Sequence, residues 1–115
     1  MSFAEDLRNR IMILDGAMGT MIQRHFIGDN ETLNLDNPDL IRSIHQEFIA
    51  AGADIIETNS FGANRISQQE YGKAAEAAEM AYAAARIARE AADAAPRRVY
   101  VAGSVGPTGQ SLTLP

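Results

Sequence analysis

The chain contains no cysteine, which excludes disulfide bonds, thiol nucleophiles and zinc–thiolate sites made from these 115 residues alone. Histidine is scarce, and its two positions, His25 and His45, are too far apart to suggest a local pair of metal ligands. The one lysine, Lys73, lies in a polar stretch between two helical patterns. A Schiff-base enzyme would need its lysine at a strand end, so that chemistry is not indicated.

Excess positive charge and long apolar runs are also missing. The net charge is −5 and no basic run occurs, which argues against nucleic acid as a main partner. No apolar stretch is long enough to cross a bilayer, and the polar, acidic start is unlike a secretory signal. We therefore expect one small cytoplasmic domain over residues 1–115, with no membrane partner.

Helix and strand signals alternate along the first third of the chain. Ser2 and Glu5 have the spacing of a helix capping box. The continuous apolar run over residues 11–15 predicts a strand that is buried on both faces. A helical turn is predicted within residues 17–26, and residues 28–37 are predicted to be polar and irregular.

The same alternation continues to the end of the chain. A helix signal opens at Asn37, the predicted cap, and stops at Gly52. Residues 54–58 and 98–104 are predicted as strands, and an alanine-rich helix over residues 74–94 separates them. The order strand, helix, strand, helix, strand predicts an α/β fold with a parallel sheet.

Each predicted strand ends in a polar segment that contains glycine. In parallel α/β folds, ligands bind beyond the carboxyl ends of the strands, so these three loops are expected to meet at one rim. The carboxylates of Asp15 and Glu57 would then face one pocket. Gly16 and Gly19 allow backbone N–H groups to approach an anion, while Asp15 can accept hydrogen bonds from an ammonium group. Together they suit both ends of an amino acid.

Simpler structural roles remain open for these residues. An ordinary strand-to-helix turn explains the glycines equally well. Glu57 could pair with a nearby donor, and Thr58 and Asn59 could be plain turn residues. Met18 is more typical of core packing than of a lid. His45 lies beside the apolar face of its helix, and we expect it at the surface or the core edge.

Three ordered motifs carry a family resemblance. They are Leu-Asp-Gly-Ala-Met-Gly-Thr at residues 14–20, Ala-Gly-Ala-Asp-Ile-Ile-Glu-Thr-Asn-Ser-Phe-Gly-Ala-Asn at 51–64, and Val-Ala-Gly-Ser-Val-Gly-Pro-Thr-Gly at 101–109. Together they resemble the start of the homocysteine S-methyltransferase family. Within it, the homocysteine-binding module of the cobalamin-dependent methionine synthases is the most similar, and the betaine–homocysteine methyltransferases are more distant.

The resemblance implies a fold and a reaction. The fold is a (β/α)8 TIM barrel, and the reaction transfers a methyl group to the thiol of homocysteine to make methionine. In this family three cysteines hold a zinc ion that activates the thiol, and cobalamin can act through other domains. A closed barrel needs about 250 residues. The resemblance therefore implies that residues 1–115 are N-terminal β/α units of an incomplete barrel, without zinc and inactive alone.

The resemblance also implies where the substrate binds. Asp15 would hold the ammonium group of homocysteine. The other implied residues line the same pocket, with backbone N–H groups for the carboxylate at Gly16, Ala17 and Met18, and shaping side chains at Glu57, Thr58 and Asn59. No catalytic or metal-binding residue is implied within this chain.

Three functions stay open from the sequence. The chain could be part of the enzyme, a small α/β module that binds an anion or amino acid without chemistry, or a structural piece that oligomerises. Unpaired strand edges at residues 11–15 and 99–104 predict a homo-oligomer, or pairing with the remainder of a barrel.

Overall fold

The computed structural model of this chain describes residues 2–110, which form a mixed α/β fold. The helices are α1 (Phe3–Asn9), α2 (Met18–Ile22), α3 (Leu33–Asp36), α4 (Pro38–Ala50), α5 (Arg65–Gln69) and α6 (Ala77–Asp93), and the strands are β1 (Ile55–Glu57) and β2 (Tyr100–Ala102). Turns of 3-10 helix at Asn30–Thr32 and Ala74–Glu76 lead into α3 and α6. Among residues 2–110, no helix has both the length and the apolar character of a membrane span.

The starts of two helices follow the capping signals in the sequence. The Ser2 hydroxyl accepts a hydrogen bond from the N–H of Glu5 at 3.2 Å, and α1 begins at the next residue after the cap. The Asn37 side chain accepts from the N–H of Leu40 at 3.3 Å at the start of α4. Gly52 has φ +111° just beyond α4, a conformation that favours glycine. The predicted bounds of this helix are confirmed.

Removal of the α4 cap gives the first test. We expect Asn37→Ala to lower the free energy of unfolding by about 1 kcal/mol, because the N–H of Leu40 loses its acceptor. Urea unfolding measures this difference. Asn37→Asp is the matched control, since its carboxylate can accept the same bond. Equal losses in the two variants would contradict the capping role.

The strands are parallel, as the alternation of elements predicts. β1 pairs with β2 on one side. On its other side, Ile55 of β1 pairs with Leu14 in a single parallel bridge. Backbone bonds reinforce this contact, because the N–H of Asp15 donates to the Ile55 carbonyl at 2.9 Å and the N–H of Ile55 donates to the Ile13 carbonyl at 3.1 Å. The order across the sheet is therefore the segment of residues 11–15, then β1, then β2.

The prediction that residues 11–15 form a strand buried on both faces is wrong. The segment makes one bridge, and the side chains of Ile11 and Ile13 are 93% and 57% exposed. Its apolar sequence predicts neighbours on both faces, whereas the described residues supply contacts along one edge, through β1 and the adjacent Asp54. The segment nevertheless runs parallel to β1 and delivers Asp15 to the carboxyl end of the sheet.

The core lies where α4 and α6 pack together and against the sheet. One apolar stripe of α6 is buried, and its members are Met80, Ala84, Ile87 and Ala91. One cluster joins Ile87 to residues of α2, α3 and α4: Ile22, Leu33, Ile41 and Ile44. A second cluster packs α4 and α6 onto the strands, with Ile49, Ile56, Ala88, Ala91 and Val99 among its members.

The prediction that residues 28–37 are irregular is also wrong. This segment contains a 3-10 turn and α3, and four of its residues are buried: Asp29, Thr32, Leu33 and Asn34. Polar sequence usually indicates solvent exposure. Here the polar side chains bind partners from distant parts of the chain, which a local pattern does not show.

His45 is buried completely, not at the surface or core edge as expected. It lies four residues from both Ile41 and Ile49, so it projects from the same buried face of α4. Neither ring nitrogen has a hydrogen-bond partner among the described residues. Burial lowers the pKa of His45 from 6.5 to about 4. The imidazole is therefore neutral in the folded chain near pH 7.

Candidate functional site

A cavity of about 290 Å³ lies at the carboxyl ends of the strands, and we call it the rim pocket. It is lined by all seven residues for which the sequence predicts a shared pocket: Asp15, Gly16, Ala17, Met18, Glu57, Thr58 and Asn59. Six further residues complete the lining: Gly19, Asn30, Glu31, Ser60, Phe61 and Ser104. The structure thus brings the ends of the first two predicted strands together. The loop after β2 contributes Ser104 alone.

One carboxylate oxygen of Asp15 is hydrogen-bonded to the protein and the other has no protein partner. Its Oδ2 atom accepts a hydrogen bond from the N–H of Glu57 at 3.1 Å. Its Oδ1 atom is buried and has no partner among residues 2–110. Burial raises the pKa of Asp15, the bond from the Glu57 N–H opposes that rise, and the negative charge of Glu57 adds to it. A cationic ligand group at Oδ1 would stabilise the ionised carboxylate.

The turn after Asp15 presents unused backbone donors. Within the described part of the chain, the N–H groups of Gly16, Ala17 and Met18 donate to no protein acceptor. The backbone can pass close to the ring of Phe48 because residue 16 is glycine, since a Cβ there would lie 2.9 Å from Phe48 Cε1. The turn therefore places three N–H donors beside a carboxylate.

Glu57 lines the rim pocket with a free carboxylate. No described residue forms a hydrogen bond or ion pair with its side chain, although its charge acts on Asp15. The alternative in which Glu57 serves a nearby protein donor therefore has no support in residues 2–110. Two carboxylates instead face one cavity.

Thr58 and Asn59 shape the pocket while their side chains bind the protein. The Thr58 hydroxyl lies 2.6 Å from the Ser60 hydroxyl and accepts from the N–H of Ser104 at 3.0 Å. The Asn59 amide donates to Asn34 Oδ1 at 2.9 Å. Both side chains are buried. Thr58 ties the loop after β1 to the loop after β2, and Asn59 ties it to α3, so both side chains support the pocket wall.

Two lining residues, Asn30 and Glu31, were not predicted from the sequence and reach the pocket from the 3-10 turn before α3. Glu31 Oε1 accepts a hydrogen bond from the N–H of Gly62 at 2.8 Å. The segment belongs to none of the strand-end loops, and only its polar composition hints at a role. Tertiary folding alone brings it to the rim.

The described residues do not fit the zinc site that the family resemblance implies. The chain has no cysteine, and neither histidine lines the rim pocket. Within residues 2–110, no three or more of His, Asp and Glu are arranged to hold a metal ion. The chemistry that this lining offers is hydrogen bonding and charge, through its carboxylates and backbone N–H groups.

Comparisons with known proteins show which family this chain is similar to. A family model described as homocysteine S-methyltransferase matches residues 12–114. A solved structure of the homocysteine methyltransferase MmuM from Escherichia coli in its metallated form has 29% sequence identity and a TM-score of 0.77, over 91% of this chain and 41% of that one. The oxidized form gives 31% identity and a TM-score of 0.77, over 90% and 40%. The chain thus spans about two fifths of the length of these relatives.

Proposed function

The chain belongs to the homocysteine S-methyltransferase family, and we propose that its rim pocket binds the amino-acid end of homocysteine. One observation carries this proposal: the buried, unpartnered Oδ1 atom of Asp15 lies next to a turn whose N–H groups are unused. A buried carboxylate oxygen without a partner costs free energy, and a bound ammonium group would satisfy it. The N–H groups of the turn complement the substrate carboxylate.

The charge of the pocket supports the same orientation. Its lining contains the acidic residues Asp15, Glu31 and Glu57 and no lysine, arginine or histidine. Such a lining favours a cationic group and repels a bare carboxylate, except where backbone donors are free. In this arrangement the ammonium lies at Asp15 and the carboxylate at the turn. The thiol is then the end of homocysteine that these residues leave unbound.

We further propose that residues 1–115 are N-terminal β/α units of a (β/α)8 barrel that transfers a methyl group to homocysteine. The parallel order of segment 11–15, β1 and β2 supports this, as does the match to part of MmuM. Zinc, the methyl donor and any cobalamin would then be held by protein outside these residues. We expect the chain alone to bind homocysteine without methylating it. Methyl transfer by the purified chain would contradict this.

The open sheet edges give this proposal a second consequence. Segment 11–15 and β2 each have one strand neighbour among the described residues, so both can accept another strand. We expect them to pair with a second copy of the chain or with the remainder of a barrel. Sedimentation at micromolar concentration tests self-pairing, and a monodisperse monomer would contradict the homo-oligomer.

Asp15→Asn tests the ligand contact directly. We expect at least tenfold weaker homocysteine binding, because a charge-assisted hydrogen bond to the ammonium is worth about 1.5–3 kcal/mol. Titration calorimetry with homocysteine measures the change. Asp39→Asn is the matched control, since that side chain is exposed on α4 and does not line the pocket. Unchanged affinity in Asp15→Asn would remove Asp15 from the site.

A further inference from the structure

A second pair of acidic residues lies in the wall of the rim pocket. Asp29 is buried, and Glu31, two residues later, is half-buried and lines the cavity. Asp29 Oδ1 accepts a hydrogen bond from Gln68 Nε2 at 3.1 Å. Glu31 Oε1 accepts from the N–H of Gly62 at 2.8 Å. Each carboxyl group therefore has one oxygen committed to a protein donor.

The second carboxylate oxygen of Asp29 lacks a hydrogen-bond donor. Asp29 Oδ2 is buried and has no partner among residues 2–110. Burial raises the pKa of Glu31, the bond from Gly62 opposes that rise, and hydrogen bonding with Asp29 together with its negative charge raises it further. Gln68 Nε2 donates both to Asp29 and to the Gly62 carbonyl, and the N–H of Gly62 donates to Glu31, so both carboxyl groups are held beside the same residue. Two ionised carboxylates could not hydrogen-bond to each other, whereas a single proton between them would satisfy Asp29 Oδ2.

We propose that Asp29 and Glu31 share one proton, and that this acid pair holds residues 59–62 in place at the rim pocket. Glu31 is thereby a positioning residue, because it acts on the pocket through the loop. The proton sharing follows from the contacts of the pair alone. Its effect on ligand binding rests on the proposed function of the pocket.

The contacts of Gly62 show how the pair reaches the loop. The N–H of Gly62 donates to Glu31, and its carbonyl accepts from Gln68 Nε2 at 3.0 Å. A Cβ on residue 62 would lie 3.1 Å from Glu31 Oε1 and 3.2 Å from Cδ, so the backbone lies directly against the carboxyl group. Asn59 and Phe61 of the same loop line the pocket. A change in the acid pair therefore acts on the pocket wall.

The other charges near Glu31 favour the protonated pair. Asp15 and Glu57 line the same cavity as Glu31, and the lining supplies no cation that would favour the ionised form of Glu31. The nearby cation Lys73 donates to the Thr32 hydroxyl at 2.6 Å. No described ion pair joins Lys73 to Asp29 or Glu31, so the pair relies on its own proton.

The pH dependence of stability tests the shared proton without any ligand. A native carboxyl group with a raised pKa stabilises the fold below its unfolded pKa, and that stability is lost as pH rises through the folded value. Glu31→Gln places an amide donor where the proton lies and keeps an acceptor for Gly62. We expect the parent chain and Glu31→Gln to have equal unfolding free energies at acid pH. As pH rises, Glu31→Gln should become the more stable of the two. Parallel profiles would overturn the proposal.

A double-mutant cycle with Asp29→Asn supplies a second signature. In Asp29→Asn the new amide can donate to an ionised Glu31 and still accept from Gln68, so that variant also retains the network. In the double variant the two amides present N–H groups to each other. If one amide rotates to avoid this, it loses its hydrogen bond from Gly62 or from Gln68. We expect the double variant to melt at least about 4 °C below the temperature obtained by adding the changes of the two single variants. Additive effects would overturn the proposal.

Matched controls separate the possible outcomes. Glu47→Gln removes one charge from an exposed position on α4 and is expected to leave the pH profile unchanged. Stability that depends on sodium or potassium and loses that dependence in Glu31→Gln would place a cation between the carboxyls and overturn the shared proton. Homocysteine affinity is measured separately. If the chain binds no homocysteine but the stability results hold, the proposed function fails and the acid pair stands.

Discussion

Asn34→Ala is expected to lower the free energy of unfolding by about 3–5 kcal/mol, because it removes the centre of a buried hydrogen-bond network. Asn34 is only 1% exposed. Its side-chain amide donates to the Asn59 carbonyl at 2.8 Å and the Met80 carbonyl at 3.0 Å, and its oxygen accepts from the Asn59 amide at 2.9 Å. Alanine would leave the buried Asn59 carbonyl unpaired, at a cost of about 1–3 kcal/mol, and would remove two further bonds worth about 1 kcal/mol each. The Asn59 amide keeps its bond to the Asn30 carbonyl at 3.0 Å.

The same variant should also weaken ligand binding, because Asn34 holds the pocket residue Asn59 from both its backbone and its side chain. Urea unfolding measures the stability, and calorimetry with homocysteine measures the affinity where the variant still folds. Asn9→Ala, at an exposed position at the end of α1, controls for the loss of an asparagine side chain. A loss below about 1 kcal/mol would show that water replaces these bonds readily.

Acid is expected to destabilise the chain through His45. The unfolded imidazole binds a proton near pH 6.5, whereas burial holds the folded pKa at about 4. As pH falls below 6.5 the unfolded state gains the proton first, so stability is lost until the pH reaches the folded value. This difference corresponds to a loss of about 3 kcal/mol across that window. Unfolding free energies between pH 4 and 7 measure it.

Two variants isolate the contribution of His45. His45→Leu keeps a side chain of similar size, removes two unpartnered nitrogens and should abolish this part of the acid loss, with stability at pH 7 close to that of the parent chain. His25→Gln changes an exposed histidine in the turn after α2 and should leave the profile intact. An acid loss of equal size in His45→Leu would assign the effect to other groups.

The meeting of Asp15 and Glu57 could be predicted because it depends on strand direction. Parallel strands carry the residues that follow them to the same edge of the sheet, and alternating helix and strand signals give that direction. The helical spacing of Ile41 and Ile49 likewise predicts that both side chains are buried on one face of α4. The same period would have placed His45 between them, but its polarity suggested a position nearer solvent.

Asn34 and Glu31 could not be predicted, for a physical reason they share. A buried polar group is stable only with partners, and the groups that hydrogen-bond Asn34 and Glu31 across the fold lie 25 to 46 residues away in the sequence. No local pattern contains that information. For segment 11–15 the sequence errs in the opposite direction. Its apolar run predicts a buried strand, whereas residues 2–110 pair with it but leave its side chains largely exposed.

We expect the one-sided pairing of segment 11–15 to link ligand affinity to assembly. Asp15 ends a segment held by β1 and Asp54 along a single edge, so a ligand at Asp15 would bear part of the entropic cost of ordering that segment. A neighbouring strand on the open edge would order the segment before the ligand binds. It would therefore tighten ligand binding without contacting the ligand. By thermodynamic reciprocity, the ligand would tighten the association with that neighbour by the same factor.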